Sequence, residues 1–291
     1  MHVTGFTFIK NAIKYDFPVE EAIKSVMPLC DEIVVAVGDS DDETRALIEE
    51  IDFNIRIIDT VWDESLLNDG AVLADETNKA LKAISKQSDW CVYIQGDEVM
   101  HEADMEAIRR AMQAYQSDDQ VDGLLFKYNH FYGSYDYVGS SAQWYKHEIR
   151  VIKNHRSIYS YRDAQGFRKG DNKKLNVKAV DATIYHYGWV KPPEVMLEKV
   201  KNDRLVRHGI ESSDIPVISE SENKFDYGQI DILSQFDGSH PAIMAPRIAR
   251  NNWKFDYDIS KNSLSLKERL KRASEKVLGH QIGEYRNYKL I

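Results

Sequence analysis

Short, mostly apolar runs alternate with helical patterns along the first 120 residues. Such runs are typical of strands covered on both faces, and they lie at residues 3–9, 33–37, 55–58 and 90–95. Apolar residues recur at helical spacing at residues 19–27, 71–84 and 102–115, with a short acidic helix before residue 55. This alternation predicts an α/β fold with a mainly parallel, doubly wound, Rossmann-like sheet and helices on both faces.

The pattern changes after residue 120. Aromatic, strand-like segments separated by polar loops lie at residues 124–128, 148–152 and 182–187, so we predict an α+β second half. Residues 211–240 are rich in Ser, Asp and Gly, and a long surface excursion is expected there.

The tail at residues 261–278 has the pattern of an amphipathic basic helix. Lysines and arginines surround one apolar face, which consists of Leu266, Leu270, Ala273 and Val277. Two interpretations are open. The helix docks on the domain with a solvated basic face, or it rests on anionic lipid.

Composition narrows the class of protein. The net charge of -9 and the pI near 5.5 argue against general affinity for nucleic acid. Cys30 and Cys91 lie among apolar residues and are predicted to be core residues in a reducing compartment. No apolar segment approaches the roughly 20 residues that cross a bilayer, so we expect a soluble, cytoplasmic protein.

Carboxylates follow directly on two predicted strands. Gly38-Asp39 ends the second apolar run, and Gln95-Gly96-Asp97-Glu98 ends the fourth. Ligands of doubly wound sheets bind beyond the carboxyl ends of the strands, so we expect Asp97 and Glu98 to project into a crevice. The alternative is that Gly-Asp only turns the chain and that Glu98 is a first-turn acid of the next helix.

Several segments resemble the family-two glycosyltransferases, GT-A-fold enzymes that move a sugar from a nucleotide-diphosphate donor to an acceptor. The segments that match the donor-binding series are Asn11, residues 39–44, Asn78 and residues 95–98. Residues 144–150, 163–168 and 185–189 are similar to a branch with lipopolysaccharide-core and cell-surface sugar transferases. The resemblance covers about residues 1–190.

The resemblance implies a nucleotide-sugar-binding half at residues 1–120, an acceptor-side half of the same domain at 121–260, and the helical tail at 261–291. It places the donor beside Phe8, Lys10, Asp39, Asp41, Asn78, Gln95 and Gly96. Asp39 and Asp41 would accept hydrogen bonds from a base or ribose hydroxyl. The acids of residues 39–43 also suit the start of the following helix, and both roles can coexist.

A divalent cation, Mn²⁺ or Mg²⁺, is implied as the group that neutralises the leaving diphosphate. The family holds it with an Asp-x-Asp triplet, and here Gln95 takes the first position and Asp97 the last. The resemblance also implies that His186 completes the cation site. The alternative for His186 is a hydrogen-bonded core or rim residue.

Displacement at the anomeric carbon with inversion requires a base for the acceptor hydroxyl. Asp163 is the candidate, because it lies in a polar loop where the related branch carries an acid. Glu148 competes, but Arg150 lies two residues away on the same strand face, which favours a structural ion pair. Sugar rings would rest on aromatic residues, unless these are core: Trp144, Tyr145, Trp189 and the series from Tyr128 to Tyr137.

The resemblance therefore implies a metal-dependent, inverting glycosyltransferase with a glycan or lipid-linked glycan acceptor. If the basic tail rests on lipid instead of docking on the domain, it would make a weak contact with the inner membrane face. A sugar-phosphate nucleotidyltransferase is one alternative, but the first twenty residues hold only Gly5 in place of a glycine-rich phosphate loop. A non-catalytic nucleotide- or glycan-binding module is the other.

Overall fold

One large sheet organises the chain, with helices packed against both faces. The computed structural model describes residues 1–67, 70–141, 143–208, 223–228, 230, 232–262 and 286–291. The α-helices of this part are α1 (Val19–Val26), α2 (Thr44–Glu49), α3 (Ala71–Ala83), α4 (Met105–Tyr115), α5 (Pro193–His208) and α6 (Ala245–Ala249). Its strands are β1 (Val3–Ile9), β2 (Glu32–Gly38), β3 (Ile55–Thr60), β4 (Trp90–Tyr93), β5 (Glu98–Met100), β6 (Gly123–Tyr132), β7 (Tyr137–Gly139), β8 (His147–Lys153), β9 (Ile158–Tyr161), β10 (Gly166–Lys169), β11 (Lys173–Lys174), β12 (Asn176–Trp189), β13 (Leu233–Gln235) and β14 (Lys289–Leu290).

The first half of the sheet is parallel, in the order β3-β2-β1-β4. On β2, Ile33, Val35 and Val37 pack into the core that contains α1 and α4. Val34 and Ala36 point the other way and pack into the core that contains α3. Burial on both faces explains why this strand lacks polar alternation, and it confirms the α/β prediction.

The second half adds antiparallel strands to the same sheet. β8 lies antiparallel between β4 and β6, and β12 runs parallel to β6 along its other edge. β9, β10 and β11 form a separate antiparallel sheet. The large sheet is therefore mixed beyond β4, and it is continuous across the boundary predicted at residue 120.

Glu98 begins a strand rather than a helix. It is the first residue of β5, which pairs with β12, and its side chain is fully buried. Its two carboxylate oxygens accept hydrogen bonds from Nε and Nη2 of Arg150, both at 2.7 Å, and Oε1 also accepts from the Tyr128 hydroxyl at 2.8 Å. The first-turn interpretation and the expected projection of Glu98 into a crevice are therefore both wrong. The ion pair expected between Glu148 and Arg150 is wrong too, because Arg150 pairs with Glu98.

Part of the segment predicted as a surface excursion belongs to the core. Phe225, Tyr227 and Leu233 are buried, and β13 pairs with β7. Aromatic and aliphatic side chains inside a Ser- and Asp-rich stretch account for this packing. The rest of that prediction, at residues 211–222, 229 and 231, lies outside the described residues.

Residues 286–291 lie at the edge of β12. β14 pairs with β12 in parallel, and the Tyr288 side chain is buried. The predicted amphipathic helix lies outside the described residues from 263 onwards, so its contact with the domain or with lipid stays a prediction. Among the helices that are described, none combines the length and the apolar character needed to cross a membrane.

Glu148 on β8 supplies a stability prediction. Its Oε1 accepts a hydrogen bond from the backbone N–H of Ile149 at 2.9 Å, and burial raises its pKa to about 7, although Arg150 opposes the shift. Because this pKa is raised in the folded state, its contribution to stability is present below pH 4.5 and is lost as the pH rises through 7.

We therefore expect E148Q to stabilise the protein at pH 8 by up to about 3 kcal/mol and to change little at pH 5. Urea unfolding of both proteins at the two pH values measures this difference. An equal effect at both values would contradict the assigned ionisation.

Candidate active site

A cleft of about 640 Å³ lies beyond the carboxyl ends of β1, β2 and β4. It receives most of the predicted site because neighbouring parallel strands end at the same edge of the sheet. The predicted residues that line it are Phe8, Lys10, Asp39, Gln95, Gly96, Asp97, Asp163 and His186. Asp41 and Asn78 are not brought to the cleft.

Asp97 and His186 meet at the cleft wall. Asp97 Oδ2 lies 3.4 Å from His186 Nε2, and the two side chains are 15% and 12% exposed. Burial alone would raise the pKa of the Asp97 carboxyl, but the His186 imidazole and the ammonium groups of Lys199 and Lys191 lower it below its ordinary value. Gly188 leaves room for this pair, because a Cβ there would clash with the Asp97 carboxylate. Asp97 is thus held as an anion with one edge open to the cleft.

A hydrogen-bond chain behind His186 fixes the orientation of its ring. His130 Nε2 lies 2.8 Å from the Tyr145 carbonyl oxygen, which can only accept, so this nitrogen carries the hydrogen. Burial lowers the pKa of His130 to about 3, so the ring is neutral and its Nδ1 is an acceptor. Nδ1 of His186, 3.2 Å away, therefore donates to it. This leaves Nε2 of His186 directed at Asp97.

These two donors fit a divalent cation. A carboxylate oxygen and an imidazole nitrogen 3.4 Å apart have about the separation of neighbouring ligands on one ion, whose bonds are roughly 2.1 Å long. The backing of His186 by His130 is also the arrangement that orients metal-binding histidines. Within the described ranges no three His, Cys, Asp or Glu side chains are grouped for a metal. The remaining ligand positions would therefore fall to substrate phosphates and water, as Mg²⁺ sites commonly have.

Gln95 has a supporting role in this geometry. Its amide Nε2 donates to the carbonyl oxygen of Ala164 at 3.2 Å and to the Tyr93 hydroxyl at 3.3 Å. It therefore ties the end of β4 to the loop that carries Asp163. That loop contains two non-glycine residues with positive φ, Arg162 (54°) and Ala164 (60°), a conformation that needs such external support.

Asp163 faces the cleft and is bound by a cation from α5. Arg207 Nη1 donates to Asp163 Oδ2 at 2.5 Å, and the Asp163 side chain is 29% exposed. Although burial acts against its charge, the Asp163 carboxylate raises the pKa of the Arg207 guanidinium. Asp163 therefore lies at the cleft wall in an ion pair with Arg207.

The β1 and β2 end of the cleft has an aromatic and acidic pocket. The rings of Phe8 and Trp62 lie 6.2 Å apart, and Lys10 donates to Asp39 Oδ1 at 2.6 Å with its ammonium over Trp62. The hydrogen bond from Lys10 lowers the pKa of Asp39. Gly38 lets the indole approach, since a Cβ there would lie 2.6 Å from Trp62 Nε1. The sequence did not predict Trp62 as a site residue, because no recognisable sequence motif surrounds it after β3.

Asp41 and Asn78 are used elsewhere in the fold. Asp41 accepts a hydrogen bond from Lys14 Nζ at 2.7 Å on the surface. Asn78 accepts from the backbone N–H of Ser160 at 2.7 Å and donates to its carbonyl oxygen at 3.1 Å, which joins α3 to β9. The start of α2 is stabilised by Asp42, whose carboxylate accepts from the Thr44 backbone N–H at 3.0 Å.

The predicted aromatic surfaces divide into cleft and core. Trp144, Tyr145 and Trp189 line the cleft and are partly exposed. Phe131 and Tyr132 of the predicted series are buried in the core. Trp144, Tyr145 and Trp189 therefore offer flat apolar surfaces in the same cleft as Asp97 and His186.

Helix α5 forms a wall of the cleft that sequence reasoning missed. Its cleft-lining residues are Lys199, Asn202, Asp203, Leu205, Val206 and Arg207. Charged residues are interspersed with apolar ones along this helix, so no clear apolar stripe marked it. The turn between β12 and α5 directs this helix to the cleft, and the hydrophobic periodicity of the sequence does not predict that direction.

Comparisons with known proteins give low similarities. No family model matches the chain, and neither does any curated protein. TarS 1–349 of S. aureus is 15% identical, with 71% of this chain and 65% of that chain covered and a TM-score of 0.42. Its complex with UDP is 14% identical over the same shares, with a TM-score of 0.43. A 4-diphosphocytidyl-2C-methyl-D-erythritol synthase from Anaerococcus prevotii is 16% identical, covers 65% of this chain and 89% of that chain, and has a TM-score of 0.38.

This chain thus spans 65% of the TarS fragment.

Proposed function

We propose that the protein transfers a sugar from a nucleotide-diphosphate donor to a hydroxyl group of a glycan acceptor. The observation that carries the proposal is the pair of Asp97 and His186 in a 640 Å³ cleft at the carboxyl ends of parallel strands. The pocket of Phe8, Trp62 and Asp39 lies in the same cleft and suits a nucleoside. The partly exposed rings of Trp144, Tyr145 and Trp189 suit sugars.

The residues divide the reaction between them. The acceptor oxygen forms a bond to the anomeric carbon while the bond from that carbon to the diphosphate breaks and its electrons leave with the nucleoside diphosphate. Asp163 takes the acceptor proton, and attack opposite the leaving group inverts the configuration. Asp97 and His186 would hold Mn²⁺ or Mg²⁺, which supplies positive charge to the departing diphosphate.

A panel of UDP, GDP, CDP, ADP and their common sugar conjugates, each with and without Mn²⁺, tests this function. We expect one base to raise the melting temperature, because a ligand that binds the native state stabilises it. The matching nucleotide sugar should be hydrolysed or transferred. Pyrophosphate release from a nucleoside triphosphate and a sugar phosphate would indicate a nucleotidyltransferase, and binding without turnover would indicate a binding module. Either result would overturn the proposal.

A further inference from the structure

We propose that Lys199 on α5 binds the diphosphate of the donor, which makes α5 part of the nucleotide site. The inference rests on the proposed function and names a protein cation that acts on the leaving group. The cleft-lining residues at positions 199, 202, 203, 206 and 207 have the spacing of a single helix face. Lys199 stands at the N-terminal end of this row.

Lys199 is nearly buried and yet reaches the cleft. Its side chain is only 8% exposed yet lines the cleft, and its ammonium lies over the Trp189 ring, 5.1 Å from the centroid. A charge removed from water to this degree must be matched by an anion or strong acceptors. Lys199 Nζ donates to Asp203 Oδ2 at 2.9 Å, one turn along the same helix.

Other cations around the cleft also have partners within the fold. Lys191 is fully buried and donates to the Asp16 carbonyl oxygen at 2.7 Å, and it does not line the cleft. Arg207 binds Asp163, and Lys10 binds Asp39. Lys199 differs from these two cleft cations in its own burial, because its side chain is 8% exposed while those of Lys10 and Arg207 are 25% and 44% exposed. Its ammonium is therefore the least hydrated of the three, and a phosphate that replaces Asp203 displaces less water from it.

The leaving group needs this kind of partner. A nucleoside diphosphate gains negative charge when its bond to the anomeric carbon breaks, and the Asp97 carboxylate alone would repel it. An ammonium in a partly dry cleft makes charge-assisted hydrogen bonds to phosphate oxygens, which are stronger than those between neutral groups. Lys199 would then strengthen donor binding and stabilise the departing diphosphate together.

Titration calorimetry on the full chain at constant Mn²⁺ concentration measures the affinities for UDP, GDP, CDP and ADP. The affinity for each matching nucleoside is measured by competition with its diphosphate. For the diphosphate that the wild type binds, we expect K199M to weaken binding about 10- to 100-fold. Affinity for the matching nucleoside should stay within about twofold. K201M is the matched control, because Lys201 lies on the same helix, is 46% exposed, pairs with Glu198 and does not line the cleft. Its diphosphate affinity should equal that of the wild type.

A second variant separates phosphate binding from helix stability. D203N removes the carboxylate that holds Lys199 but keeps the ammonium, so diphosphate affinity should be retained or increased. If D203N weakens diphosphate binding as much as K199M does, the ion pair between Lys199 and Asp203 is structural and the inference is overturned. It is also overturned if K199M binds the diphosphate as tightly as the wild type, while the proposed function stands. A wild-type protein that binds none of the four diphosphates would remove the proposed function itself.

Discussion

Replacement of Asp97 by asparagine should lower kcat/KM for sugar transfer about a thousandfold. Asparagine keeps the shape of the side chain but removes the negative charge that faces His186 at 3.4 Å. Charge stabilisation of a leaving phosphate through a carboxylate-held cation is worth several kcal/mol, and about 4 kcal/mol corresponds to a thousandfold change in rate. Steady-state kinetics with the donor identified in the nucleotide panel measure the loss.

A surface aspartate provides the control for this variant. Asp181 lies on β12, is largely exposed and pairs with Lys127 of β6. Because it does not line the cleft, D181N should transfer sugar at the wild-type rate. Circular dichroism and the melting temperature should show that D97N is folded. A folded D97N with wild-type activity would remove Asp97 from the mechanism.

The largest effect on stability is expected from R150M. Arg150 and Glu98 are both fully buried, and the methionine would leave the Glu98 carboxylate without its bidentate partner. Removal of one member of a buried ion pair typically costs about 3–5 kcal/mol. Urea unfolding at pH 7 should show this loss in the free energy of unfolding. Purified R150M should also have a lower melting temperature than any of the cleft variants.

The double variant E98Q/R150M tests the cause of that loss. Glutamine removes the buried charge and still accepts a hydrogen bond from Tyr128, so the double variant should be more stable than R150M alone. If the second substitution adds a further loss of similar size, the damage comes from packing rather than from the unpaired carboxylate.

Local patterns predicted the strands and helices of the first half because burial there follows directly from sequence. β2 is apolar at every position from Ile33 to Val37 since both of its faces are covered. The environment of Glu98 could not be predicted in this way. Its partner Arg150 lies 52 residues later on β8, a strand that does not pair with β5 and comes close to Glu98 only after the sheet is assembled. A pattern that ends in Gly-Asp-Glu is the same for a turn into a helix and a turn into a strand.

The candidate site was predictable where it lies at strand ends and not where tertiary packing builds it. Asp39 directly follows β2 and Asp97 lies four residues after the end of β4, so the parallel sheet brings them to one cleft. Trp62, His130 and Lys199 enter it from a loop, from a long strand and from α5, and no sequence spacing relates them to the first group. Asn78 shows the converse, because a polar residue that matched a family pattern is used to join α3 to β9.

A crystal structure of the protein with Mn²⁺ and the preferred nucleoside diphosphate would show directly where the nucleotide binds. We expect the diphosphate oxygens beside Asp97 and His186, with the base in the pocket formed by Phe8 and Trp62. A nucleotide bound elsewhere, with Asp97 still in contact only with His186, would contradict the proposed donor site.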